Sequence, residues 1–174
     1  MLRLFLVVLS FLFVGQIIAQ QKTEFNFSVS SLGKSRFWHR LTYYVNAKNL
    51  IIKEGFDIDF SHGKKPKKNI VVFQTKLDSS ESLKLYLLKS LIVDDSLKSH
   101  YNNLCVMDGL ILDFDFSFGN KTKSLSLSNY YVTQMQPFVE FVNMKVPKKY
   151  KIWYNQLDLE KLMKDCPKER LLEY

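Results

Sequence analysis

From Phe25 onward apolar and polar side chains alternate: Phe25, Phe27 and Val29 interleave with Asn26, Ser28 and Ser30, a period of two that predicts a half-buried strand. Leu41 to Val45 and Leu50 to Lys53 flank Asn46-Ala47-Lys48-Asn49 and read as a hairpin with a short loop. Alternation resumes from Phe56 to Ser61, with Asp57, Asp59 and Ser61 opposite the apolar side chains. Beyond a loop from His62 to Asn69, the β-branched and aromatic run Ile70 to Thr75 predicts a more buried strand. The period then changes. Asp78 followed by Glu81 is a capping-box signature, and Leu83, Leu87 and Leu91, flanked by Tyr86 and Leu88, predict the buried stripe of a helix that fades at Asp94-Asp95.

The second half follows the same plan. Leu112 to Ser117 alternates, Gly119-Asn120 turns the chain, and Leu125 and Leu127 alternate with serines up to Ser128. Thr133 and Gln136 form a TxxQ box ahead of a helix whose face is Phe138, Phe141, Val142 and Val146, stopped by Pro147. A last helix, 156–165, presents Leu159, Leu162 and Met163, with Cys166 at its end and Pro167 closing it. The tail after it is expected to fray. Asp57, Asp59, Phe60, Ser61, Gly63, Lys65 and Lys67 recur as Asp113, Asp115, Phe116, Ser117, Gly119, Lys121 and Lys123 at a constant offset of 56. Two origins fit this echo: a duplicated ββα unit with halves 41–95 and 97–146, or convergence of amphipathic hairpins on the same turn and lysine chemistry. Either predicts an α+β fold, an antiparallel β-sheet with two to three helices packed on one face.

The first residues follow a different logic. A charged start at Arg3, an apolar run from Leu4 to Val14 and a small residue at Ala19 read as a secretory signal peptide over 1–19, too short for the roughly 20 apolar residues that span a bilayer. Cleavage leaves a single α+β domain, 20–174, without a transmembrane helix, and predicts a secreted or periplasmic location. In such an oxidising compartment Cys105 and Cys166, the chain's two cysteines, are expected to form a disulfide. Closing that loop of 61 residues is worth roughly 4 kcal/mol on chain-entropy grounds.

Composition sharpens this picture. With 47% hydrophobic, 14% aromatic and 24% charged residues, the chain is neither disordered, collagen-like nor a coiled coil. Its formal charge of +8 invites a nucleic-acid reading, but 21 of the 25 basic residues are lysines. Arginine supplies the bidentate contacts of specific recognition, so sequence-specific nucleic-acid binding is not expected.

Candidate chemistry is sparse. Asp57 with Asp59, and Asp113 with Asp115, sit at i and i+2 of strands, roughly 6.5 to 7 Å apart on one face, the spacing of an acid/base or cation-holding pair. Lys65, Lys67, Lys121 and Lys123 lie across the turns, where cross-strand ion pairing is the simpler expectation. His39, His62 and His100 are scattered, without metal-ligand spacing, so no metal site or cofactor is predicted. No GxSxG elbow, P-loop or GxGxxG fingerprint occurs. In Lys145 to Tyr154, lysines interleave with aromatic rings, making Lys148, Lys149, Tyr150, Lys151, Trp153 and Tyr154 the candidate binding surface. Asn26 and Asn120 head N-x-S/T triplets that carry glycans only in a eukaryotic secretory pathway.

The expected function is an exported small binding or structural module that contacts a protein or an anionic polymer. Two alternatives stay open: a hydrolase whose site is assembled from distant Asp and His residues, and a carrier with an apolar cavity between sheet and helices.

Overall fold

The computed structural model describes residues 25–32, 39–56, 69–93, 96–107 and 109–174. The leader read in 1–19, the carboxylates Asp57 and Asp59, His62 and the tip Lys64 to Lys68 lie outside these residues. The strands are β1 (Phe25–Leu32), β2 (His39–Val45), β3 (Asn49–Phe56), β4 (Ile70–Lys76), β5 (His100–Asn103), β6 (Ile111–Phe118), β7 (Lys121–Ser128) and β8 (Leu171–Glu173). They form one eight-stranded sheet in the order β4-β3-β2-β1-β6-β7-β5-β8, antiparallel except where β5 pairs with β7. Three α-helices occur among the described residues, α1 (Ser79–Leu88), α2 (Gln136–Lys145) and α3 (Gln156–Lys164), so the architecture is α+β.

Register turns the alternation into a core. Phe27 lies opposite Val45 on one side and Phe116 on the other, and Val29 lies opposite Tyr43 and Phe114. Leu50 and Ile52 extend this apolar face toward β4, and Leu125 and Leu127 extend it toward β5; all of these side chains are buried. Helix α2 lays Phe138 against it, with ring centroids 5.2 Å from Phe27 and 5.0 Å from Phe116 in edge-on geometry. At roughly 1.5 to 3 kcal/mol per fully buried large apolar side chain, this layer dominates the stability of the fold. Asn129 closes one corner: it adopts a left-handed φ of 51° and its Oδ1 accepts the Leu110 N–H at 2.8 Å. A Cβ on Gly109 would fall 1.8 Å from that oxygen, so only glycine fits there.

Helix α1 opens with the expected capping box: Glu81 N–H donates to Asp78 Oδ1 at 2.9 Å, and Asp78 N–H donates to Glu81 Oε2 at 2.8 Å. Its buried face differs from expectation. Leu85 is buried, whereas Leu83 and Leu87 are 46% and 61% exposed. Leucines at 83, 85, 87, 88 and 91 allow more than one phase, and packing selects the one set by Ser82 Oγ, which donates to the Ala47 carbonyl in the β2–β3 turn at 2.6 Å. Helix α2 also starts differently. Thr133 to Met135 form a 3-10 turn, and α2 begins at Gln136 with Pro137 in its first turn and no side-chain cap. Proline supplies a preset helical φ where its missing N–H costs no hydrogen bond, so the TxxQ box is not used.

Two further corrections concern the sheet edges. The run Ile70 to Thr75 is the edge strand β4, with Ile70 60% and Val71 51% exposed, because an apolar run carries no information about sheet order. The C-terminal tail is ordered as β8, paired with β5, and Tyr174 exchanges backbone hydrogen bonds with His100. Its proximity follows from the Cys105–Cys166 disulfide, which forms as expected across Cα atoms 5.8 Å apart and ties the segment after α3 to the end of β5. No helix among the described residues is long and apolar enough to cross a membrane.

Candidate functional site

After Pro147 the chain makes a 3-10 turn over Lys148–Tyr150 and then runs extended, so successive side chains point to opposite sides. Lys151 and Trp153 are exposed, while Ile152 and Tyr154 are buried. Three side chains, Tyr43, Asn143 and Tyr154, anchor this segment through five hydrogen bonds. Tyr43 OH donates to the Tyr150 carbonyl at 2.8 Å, and the Tyr150 ring packs 6.2 Å from that of Phe73. Asn143 clamps Ile152 on both backbone groups, each at 2.8 Å. Tyr154 OH accepts the Val132 N–H at 2.7 Å and donates to the Val132 carbonyl at 3.0 Å. Burial pushes the Tyr43 and Tyr154 phenols well above their ordinary range, so both remain neutral and able to donate.

The candidate surface is therefore divided by the structure. Lys148, Lys149, Lys151 and Trp153 are each exposed along this segment, called the ridge below, with Lys149 Nζ 4.6 Å from the Tyr150 ring centroid. Tyr154 is buried and Tyr150 is half-buried against Phe73, and both hold this segment in place. Nothing local in the sequence marks the clamp residue Asn143 or the donor Tyr43. They lie 9 and 107 residues from their partners, and no local pattern links them.

Asp113 and Asp115 sit on the face of β6 opposite its phenylalanines, where Ser126 Oγ and Ser124 Oγ donate to them, each at 2.7 Å. Their expected pairing with Lys121 and Lys123 is not what the register delivers. The two-residue turn at Gly119-Asn120 matches odd positions of β6 with even positions of β7. Lys123 therefore lies opposite Phe116, on the apolar face, and its Nζ reaches the Ile92 carbonyl at 3.4 Å. His100, at the start of β5, lies opposite Ser126, which lies opposite Asp113. Two strand spacings put this Asp and His about 10 Å apart, beyond hydrogen-bond reach. His100 instead stacks on Tyr174 at 5.0 Å and places Nδ1 3.0 Å from Ser99 Oγ. No group of three or more His, Cys, Asp or Glu residues among the described residues is placed to hold a metal ion.

The polar face carries a groove of about 480 Å³ lined by Asn26, Ser28, Tyr44, Asp115, Ser117 and Ser124, among others. It opens on the exposed side of the sheet and not between sheet and helices, the position expected for an apolar carrier. Asn26 is exposed at this groove, and Asn120 is exposed at the β6–β7 turn. No protein-family model matches the chain, and no curated protein matches it.

Proposed function

We propose that the chain is an exported binding module that contacts an anionic polymer or an acidic protein surface through Lys148, Lys149, Lys151 and Trp153. The observation that carries this reading is the anchoring of the ridge: Tyr43, Asn143 and Tyr154 hold its backbone before any ligand arrives. A segment already ordered loses less conformational entropy on binding than a mobile lysine-rich loop. Three exposed lysines and an exposed indole within 148–153 offer both charge and an aromatic face. The 1–19 leader and the Cys105–Cys166 bridge support a secreted or periplasmic setting.

In this reading all three helices cover the apolar face of the sheet and leave the polar face open, supported by Phe138 on Phe27, Lys89 over Phe118 and Asn103 bonded to the Leu162 carbonyl. The order β3-β4-α1 and β6-β7-α2 supports a ββα plan used twice, with spacing that differs between the copies: β6 starts 62 residues after β3 and β7 starts 51 after β4. A hydrolase built on Asp113 and His100 finds less support, since Ser126 separates them.

Retention on dextran sulfate beads at low salt tests the ridge. Lys148→Ala, Lys149→Ala and Lys151→Ala combined should weaken retention by about tenfold or more, with Trp153→Ala adding to the loss and salt abolishing the difference. Retention equal to that of the parent chain overturns the proposal. Tyr150 and Tyr154 are left intact because they support the fold.

A further inference from the structure

We propose that the groove on the polar face of the sheet binds a neutral polysaccharide chain. This site is independent of the lysine ridge and goes beyond the polyanion reading. Its lining residues include no Lys, Arg or His, in a protein of formal charge +8, and they include the carboxylate Asp115. The Lys53 ammonium at the rim, 4.7 Å from the Tyr44 ring centroid, balances Asp115, so the groove lacks the cluster of cations that marks the ridge and suits a neutral ligand. What the groove presents instead is hydroxyl and amide chemistry: Asn26 and Ser28 from β1, Ser117 from β6 and Ser124 from β7. These groups both donate and accept, as sugar hydroxyls do.

The side chains stand on hydrogen-bonded strands spaced about 4.8 Å apart, so the array is preorganised. Asp115 is held by Ser124 through Oδ1, which leaves Oδ2 to accept a charge-assisted hydrogen bond from a ligand hydroxyl. Tyr44 supplies the remaining element. Phe27 and Phe116 also border the groove, but both are buried in the core and contribute backbone. The Tyr44 ring is 37% exposed and is steadied by Lys53 Nζ, 4.7 Å from its centroid. An aromatic ring beside a row of polar groups fits a pyranose, which has an apolar C–H face and a hydroxyl edge. Because the groove lies open along an exposed sheet, it suits a chain passing over it better than an enclosed small molecule.

Calorimetric titration of the full chain with neutral hexasaccharides of the maltose, cellulose, chitin and xylan types tests this. At least one should bind with a Kd below about 1 mM, and Tyr44→Ala and Asp115→Ala should each weaken that binding about tenfold. The combined lysine-ridge variant should bind the same sugar as the parent does, so failure here and failure of the ridge are separable. Circular dichroism checks that each variant is folded, and Ser117→Ala serves as a milder variant should Tyr44→Ala unfold. Absence of binding across the panel overturns the proposal, as does binding indifferent to all three variants. Preference for a lysine-rich peptide over every sugar, or a dimer in solution that Tyr44→Ala dissociates, would give the groove a different occupant and also overturn it.

Discussion

The hairpins β3-β4 and β6-β7 are each followed by a helix, α1 and α2, and are buried very differently. In the second, β6 is central, α2 buries Phe138, Val139, Phe141 and Val142, and the rings of Phe27, Phe116 and Phe138 interlock. In the first, β4 is an edge strand with Ile70 and Val71 exposed, and α1 buries Leu85 alone. The two meet where Lys145 at the end of α2 pairs with Glu81 at the start of α1. Each hairpin and helix thus forms from its local pattern, while its place in the sheet decides how much it contributes to stability.

Mutations can break this asymmetry. The largest effect is expected at the interlocked rings: Phe138→Ala should cost about 3 to 5 kcal/mol in urea unfolding, and a loss below about 1 kcal/mol would remove α2 as the anchor. Next, replacing both Cys105 and Cys166 by Ser should cost about 2 to 4 kcal/mol and release β8 first, seen as fast amide exchange at 171–173. In α1, Leu85→Ala should cost about 2 to 3 kcal/mol, whereas Leu87→Ala should stay within about 0.5 kcal/mol. Equal losses at the two leucines would restore the symmetric stripe.

The smallest effect separates the helix starts by pH. The Lys145 ammonium, followed by the Asp78 backbone N–H, holds the Glu81 carboxyl below its ordinary range, and the Glu81 backbone N–H, followed by the Ser80 hydroxyl, does the same for Asp78. Because the folded values lie below the unfolded ones, this stabilisation is fully present above about pH 4 to 5 and is lost as pH falls through the depressed folded values. Amide exchange in the first turn of α1 should therefore show acid loosening that the uncapped start of α2 lacks. Asp78→Ala should reduce the difference, and combining it with Glu81→Gln, which also removes the carboxylate held by Lys145, should abolish it.

Some local patterns carry over directly into the structure, while others, such as the TxxQ box at Thr133 and Gln136, do not. The Asp78–Glu81 box spans three residues, and its two hydrogen bonds form within one turn. The β6–β7 hairpin needs only alternation and the Gly119-Asn120 turn, where Gly119 takes a φ of 59°. The disulfide followed from two cysteines and a leader. The lysine ridge was legible as interleaved charges and rings, but the anchoring of Tyr150 and Tyr154 was not, since Tyr43 and Val132 lie far away in sequence. Strands β5 and β8 carry four and three residues, too few to show a period, and exist because a parallel neighbour and a covalent bond bring them together.

By itself, then, the sequence determined the class of fold, the helix starts that cap themselves, the two-sided strands and the cysteine pair, because each depends on residues within a turn or on a count. Tertiary structure alone decided which strand is an edge, which leucines of α1 are buried, which face the β7 lysines take and that Tyr44 borders a polar groove. Those depend on register and sheet order, set by the summed burial of Phe27, Phe116 and Phe138, of which the first and last lie 111 residues apart.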